Sequence, residues 1–100
     1  MVKSPFCCRV DLDRAAALLK AISEPNRLRL ICLLRAGEKC VCELEADLKI
    51  KHNLICHHLK ALGQLGILKV KHQNKYSYYQ LNSRVYKKLL ADVNKLLGGR

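Results

Sequence analysis

A chain of 100 residues, half of them hydrophobic and 27% charged, has the size of one domain and the apolar content of a small core, which excludes intrinsic disorder. No apolar run exceeds about five residues against the ~20 that span a bilayer, and Met1–Cys8 lacks a secretion signal's apolar core, so a cytoplasmic protein is expected. The net charge of +11 is lopsided: residues 48–100 carry eleven basic groups and one acid, Asp92, while residues 1–47 carry eight and seven. A positive field gathered into one half of a chain points to a polyanionic partner.

In chain order, Leu12, Ala15/Ala16, Leu19 and Ile22 recur at the spacing of an amphipathic helix. Ser23-Glu24-Pro25 stops it and starts a second, with a capping side chain followed by Pro in the first turn. This second helix, through Leu28, Ile31 and Leu34, is apolar nearly all round and is expected at the centre. Cys32 within it reads as a buried core thiol. Gly37 ends the helix. A short third helix carries Val41, Leu44 and Leu48. A fourth, from about Asn53 to Leu65, turns Ile55, Leu59 and Leu62 inward, with His58 beside them, and closes at Gly66. The turn-length link Lys49-Ile50-Lys51-His52 between the two makes a helix-turn-helix. After Gly66 the period shortens: Ile67–Lys71 and Tyr76–Leu81 read as a β-hairpin with a basic tip at 72–75 and Asn74 at positive φ. A last helix, Arg84–Leu97, has an apolar stripe (Val85, Leu89, Val93, Leu96, flanked by Tyr86, Leu90 and Leu97) wider than a lone small domain needs. A dimer would use the excess.

The expected fold is therefore mainly α with a β-hairpin wing, a winged helix-turn-helix that forms a homodimer. Residues 12–97 make the DNA-binding and dimerisation domain, preceded by a cysteine-bearing arm over residues 1–11. The basic half of the chain coincides with the reading helix and the wing, which favours double-stranded DNA over a membrane surface. On this reading Lys51, His52, Asn53, Cys56, His57 and Lys60 face the major groove, and Lys71, His72 and Lys75 approach the flanking backbone or minor groove. No Cys-x-x-Cys follows a βαβ pattern and no Gly-rich nucleotide loop exists, so a thiol oxidoreductase is disfavoured and no enzyme is expected. A constitutive DNA-binding module with structural zinc remains a rival.

Six cysteines stand at Cys7-Cys8, Cys32, Cys40-Val41-Cys42 and Cys56. In a reducing compartment that usage points to thiolate ligation or redox sensing rather than a disulfide scaffold. Cys40 and Cys42 would lie about 200° apart around a continuous helix. They can converge only if Cys40 sits at or before the first turn, where the helix dipole is also expected to lower its pKa. Soft thiolates select Cd(II), Pb(II), Cu(I), Zn(II), or trivalent arsenic and antimony. Three thiolates suit As(III); four in a tetrahedron suit Cd(II) or Zn(II). His52 and Cys56, at i and i+4, form a second pair that could ligate a metal.

Ser23-Glu24-Pro25-Asn26-Arg27-Leu28-Arg29-Leu30 resembles the helix-2 opening of the ArsR/SmtB family of bacterial metal-responsive repressors. Glu38-Lys39-Cys40-Val41-Cys42-Glu43-Leu44 is similar to the family's cysteine-bearing metal box, Ile55-Cys56-His57-His58-Leu59-Lys60-Ala61-Leu62 to its reading helix, and Tyr78-Tyr79-Gln80-Leu81 to its second wing strand. The resemblance covers roughly residues 12 to 97. It implies a homodimeric repressor that sits on operator DNA at a resistance promoter and leaves when a toxic ion binds. Zinc-sensing members use Asp and His on the last helix; Asp92 is present there without a His, so that site is expected to be absent. Arsenic-responsive members often carry a third cysteine three residues after the Cys-x-Cys pair, where Glu45 stands here. The resemblance implies a metal set drawn from Cys7, Cys8, Cys40 and Cys42, with the N-terminal thiols reaching across the dimer. Arsenite or antimonite is the preferred inducer, with Cd(II), Pb(II) or Zn(II), or reversible thiol oxidation, as alternatives. Cys56 occupies a position where the family usually has serine.

Overall fold

A computed structural model describes residues 12–98; the arm over residues 1–11, with Cys7 and Cys8, lies outside the described residues. The order is α1 (Leu12–Ile22), α2 (Pro25–Ala36), β1 (Lys39–Cys40), α3 (Val41–Leu48), α4 (His52–Gly63), β2 (Leu68–Gln73), β3 (Tyr76–Leu81) and α5 (Ser83–Gly98). Between α1 and α2, Ser23 Oγ donates to the carbonyl of Lys20, finishing α1, while the Glu24 carboxylate accepts the Asn26 N–H at 3.1 Å and caps α2. Pro25 fills the first turn, where its missing N–H leaves nothing unsatisfied.

The core is one cluster built from Leu18 and Ala21 of α1, Leu30, Ile31 and Leu34 of α2, Leu44 of α3, Ile55, Leu59 and Leu62 of α4, then Ile67, Leu81 and Leu89. Only one side of α2 enters it. Leu28 and Cys32, one turn apart on the other side, are exposed, which corrects the reading of Cys32 as a core thiol. They line an open cleft of about 310 Å³ with Arg29, Leu33, Asp47 and Leu48.

Lys49 closes α3 in the left-handed conformation (φ 56°) and donates its N–H to Glu45 at 2.8 Å. Lys51 is extended and caps α4, so three residues reverse the chain and His52 is already helical. The hairpin pairs β2 and β3 from Leu68↔Leu81 out to Gln73↔Tyr76; the first strand begins one residue later and runs two residues further than the sequence suggests. Asn74 has φ 58° at the tip, as its tolerance of that region predicts. A third strand is absent from the sequence reading: β1 adds to the other edge of β3, with Lys39↔Tyr79 and Cys40↔Tyr78, in the order β1-β3-β2. Lys71 and Glu38, 3.4 Å apart, tie the wing to the segment leading into β1.

Candidate nucleic-acid interface and thiol centre

One face of α4 goes inward, through Ile55, His58, Leu59 and Leu62, because these positions repeat every three to four residues. The opposite face is free: Lys51, His52, Asn53, Cys56, His57 and Lys60 are all exposed. So is Leu54 on the same helix, 48% accessible, which the sequence reading did not single out. Lys71, His72 and Lys75 are exposed on the wing, and His72 Nδ1 lies 2.9 Å from Ser77 Oγ across the hairpin. No acidic residue occurs anywhere in α4, β2 or β3. The arrangement offers cations and amide or imidazole hydrogen-bond groups at helix diameter, the geometry a major groove admits.

The buried His58 braces this helix from behind. Its Nδ1 accepts from Arg27 Nε of α2 at 3.0 Å. Burial first, and the Arg27 charge second, push its pKa below the usual histidine value. Above about pH 6.5 both folded and unfolded chains hold this ring neutral. As pH falls through that value the unfolded chain takes up a proton that the native state resists, so stability is lost toward acid until the depressed folded pKa is reached. His58→Asn retains an acceptor for Arg27 without the titration. The urea midpoint is expected to fall less between pH 7 and 5 in this variant than in the parent; equal pH slopes would remove His58 as the cause.

Cys40 is the N-cap of α3, with extended backbone (φ −85°, ψ 165°), and Cys42 is the second helical residue. That break in helical geometry brings their sulfurs to 2.7 Å as free thiols. Glu43 completes a capping box, its Oε1 accepting the Cys40 N–H at 3.0 Å. The same hydrogen bond holds the Glu43 carboxyl below its usual pKa. Cys40 is buried beside β3, whereas Cys42 is exposed, so the pair has one face open to solvent. The expected lowering of the Cys40 pKa is not found. It is raised, first by the hydrogen bond with Cys42 and then by burial, and the Glu43 N–H, acting in the opposite direction, does not overcome them. Tyr78, paired with Cys40 across the strands, is also raised, by burial first and then by the Cys40 charge. Among the described residues no three His, Cys, Asp or Glu side chains converge as a metal-binding group.

The second pair, His52 and Cys56, also meets: Nε2 and Sγ are 3.4 Å apart. Glu45 joins them from α3, its Oε2 2.8 Å from His52 Nδ1. That contact depends on the fold of the Lys49 turn and has no local sequence signal.

A tight helix pair with an open basic face, followed by a wing, defines a winged helix-turn-helix regulator. Residues 24–70 match the family described as bacterial regulatory protein, arsR family. An uncharacterised HTH-type transcriptional regulator of Methanocaldococcus jannaschii is 32% identical over 84% of this chain and 96% of its own length. The chain belongs to the ArsR family. Two relatives from Staphylococcus aureus have names that state a setting: an arsenical resistance operon repressor, 27% identical over 79% of this chain and 76% of its own, and a homologue of the cadmium resistance regulatory protein CadC, 33% identical over 75% and 63%. Among solved structures, a homodimeric winged helix-turn-helix domain from Mycobacterium bovis superposes with a TM-score of 0.72, 22% identity, 91% of this chain and 85% of that one. No helix among the described residues is long and apolar enough to cross a membrane.

Proposed function

We propose that this ArsR-family repressor is a cytoplasmic homodimer, without enzymatic activity, that leaves its operator when trivalent arsenic or antimony binds Cys40, Cys42 and one of Cys7 and Cys8. The carrying observation is the thiol pair at the mouth of α3, 2.7 Å apart and hydrogen-bonded, with the Cys40 pKa pushed up by that hydrogen bond and by burial. Arsenite reaches a thiol as As(OH)₃. Each As–S bond that forms breaks an As–O bond, and the thiol proton leaves with the departing hydroxide as water. A thiol with a raised pKa, such as Cys40, suits that exchange, whereas a bare divalent cation must drive the proton into solution. The relatives named for arsenical and cadmium resistance support an ion inducer of thiophilic character, and the choice between them rests on this proton balance.

Exposed Leu12 and Leu19 of α1 and Leu90 and Leu97 of α5 form the surface on which a second copy packs; the homodimeric relative supports this. Cys40 transmits the event two ways, as the cap of α3 and as a residue of β1 hydrogen-bonded to the wing strand. Drawing Cys40 toward an arm thiol shifts both the helix that opens the helix-turn-helix and the strand behind the wing. A coupling of ~1–3 kcal/mol between the sites weakens DNA binding ~5–150-fold. Arsenite added to the reduced full chain is expected to protect Cys40, Cys42 and one arm cysteine from maleimide labelling at one ion per protomer, read by peptide mass. Unprotected Cys40 and Cys42 would reject the site.

A further inference from the structure

The chain Glu45–His52–Cys56 has no part in ion binding at Cys40 and Cys42, and it lies on the face that the proposed function turns toward DNA. A carboxylate only accepts hydrogen bonds, so Glu45 Oε2 at 2.8 Å fixes the hydrogen of the neutral ring on His52 Nδ1. The bare Nε2 is then the atom facing Cys56 Sγ at 3.4 Å. A nucleophile, a base within reach and a third group orienting the base is the arrangement that activates thiols for covalent chemistry. Cys56 is exposed, and Lys51, His57 and Lys60 are exposed on the same helix or its cap, with no acid in α4. Cys32 is exposed as well, and its sulfur has no hydrogen bond among the described residues.

We propose that Cys56 is a modification site, a thiol on the reading helix that forms mixed disulfides with anionic low-molecular-weight disulfides and so takes the protein off DNA directly. His52 Nε2 receives the Cys56 proton. The sulfur attacks one sulfur of the disulfide; a new S–S bond forms, the old one breaks, and the leaving thiolate takes the proton back from the imidazolium. The basic surface draws in an anionic reagent, and the adduct it leaves places negative charge and bulk where phosphates and base edges would sit. Its consequence for DNA rests on the proposed function above; its chemistry does not.

The test uses the full chain with Cys7, Cys8, Cys40 and Cys42 replaced by serine, leaving Cys32 and Cys56, and oxidised glutathione as the probe. Peptide mass is expected to show Cys56 reacting at least tenfold faster than Cys32, and His52→Gln is expected to remove the larger part of that difference with unchanged circular dichroism. Neutral bis(2-hydroxyethyl) disulfide is expected to keep the part of the preference that His52 supplies and to lose the part that charge supplies. Equal rates at the two cysteines, or no effect of His52→Gln, would overturn the activated thiol; an undiminished preference with the neutral reagent would overturn the anionic class. On operator DNA the modified protein is expected to bind at least tenfold more weakly and to recover with dithiothreitol. Modification with unchanged DNA affinity would overturn the switch, whereas failure of the unmodified protein to bind DNA would reject the functional reading and leave the reactivity order to decide the chemistry.

Discussion

Replacing Cys40 and Cys42 together with serine is expected to leave operator affinity within about twofold of the parent while arsenite no longer releases the DNA. Neither thiol lies on the exposed face of α4 or on the wing, so neither is expected to contribute a DNA contact. Serine is among the preferred N-cap residues, and at position 40 it accepts the Glu43 N–H at least as well as sulfur does, so the start of α3 is preserved. What disappears is the soft ligand pair, and with it the ~5–150-fold weakening that a coupling of ~1–3 kcal/mol supplies. Fluorescence anisotropy of the double variant on labelled operator DNA, with and without arsenite, measures both halves. Loss of DNA binding in the variant would make the pair structural, the outcome expected of a constitutive zinc-bearing module.

The second large effect is on stability. Leu44 is wholly buried and is the one residue of α3 inside the buried cluster, with Val41 and Leu48 of the same helix packed half-buried against it, so it is the main anchor of the first helix of the pair. Leu44→Ala removes that anchor and leaves a cavity, at a cost of about 2–5 kcal/mol. For a domain of this length each kcal/mol moves the melting temperature by roughly 4–8 °C, so a fall of about 10 °C or more is expected at fixed protein concentration. Calorimetry of parent and variant checks it; a fall of under about 3 °C would mean that α3 is held mainly by the β1–β3 pairing. Ala46→Ser, on the exposed side of the same helix, is the control and is expected to change little.

The helices and the wing are legible in the sequence because their apolar periods are long and their punctuation is local: Pro25, Gly37 and Asn74 each act within a turn. β1 is not legible. Two residues carry no period, and their partners, Tyr78 and Tyr79, lie far along the chain. Cys32 was misplaced for a related reason, since a helix apolar nearly all round does not disclose which side meets the core. In the structure Leu30, Ile31 and Leu34 take the core, and Leu28 and Cys32 are left outside. The convergence of Cys40 and Cys42 follows from helix geometry once a helix start is placed between them. The raised pKa of Cys40 does not, because sharing a hydrogen and burial depend on distances that only the fold sets. Likewise His52 and Cys56 can be paired from spacing alone, whereas Glu45 reaches His52 only because Lys49 adopts the left-handed turn.

The most direct measurement of the central claim is the anisotropy of the reduced, unmodified chain on duplex DNA from upstream of its own gene, titrated separately with arsenite, antimonite and Cd(II). Tight binding that arsenite or antimonite reverses at about one ion per protomer is the predicted result. Binding that responds to Cd(II) alone would contradict the trigonal-ion assignment, and binding that none of the three reverses would contradict an ion-released repressor altogether.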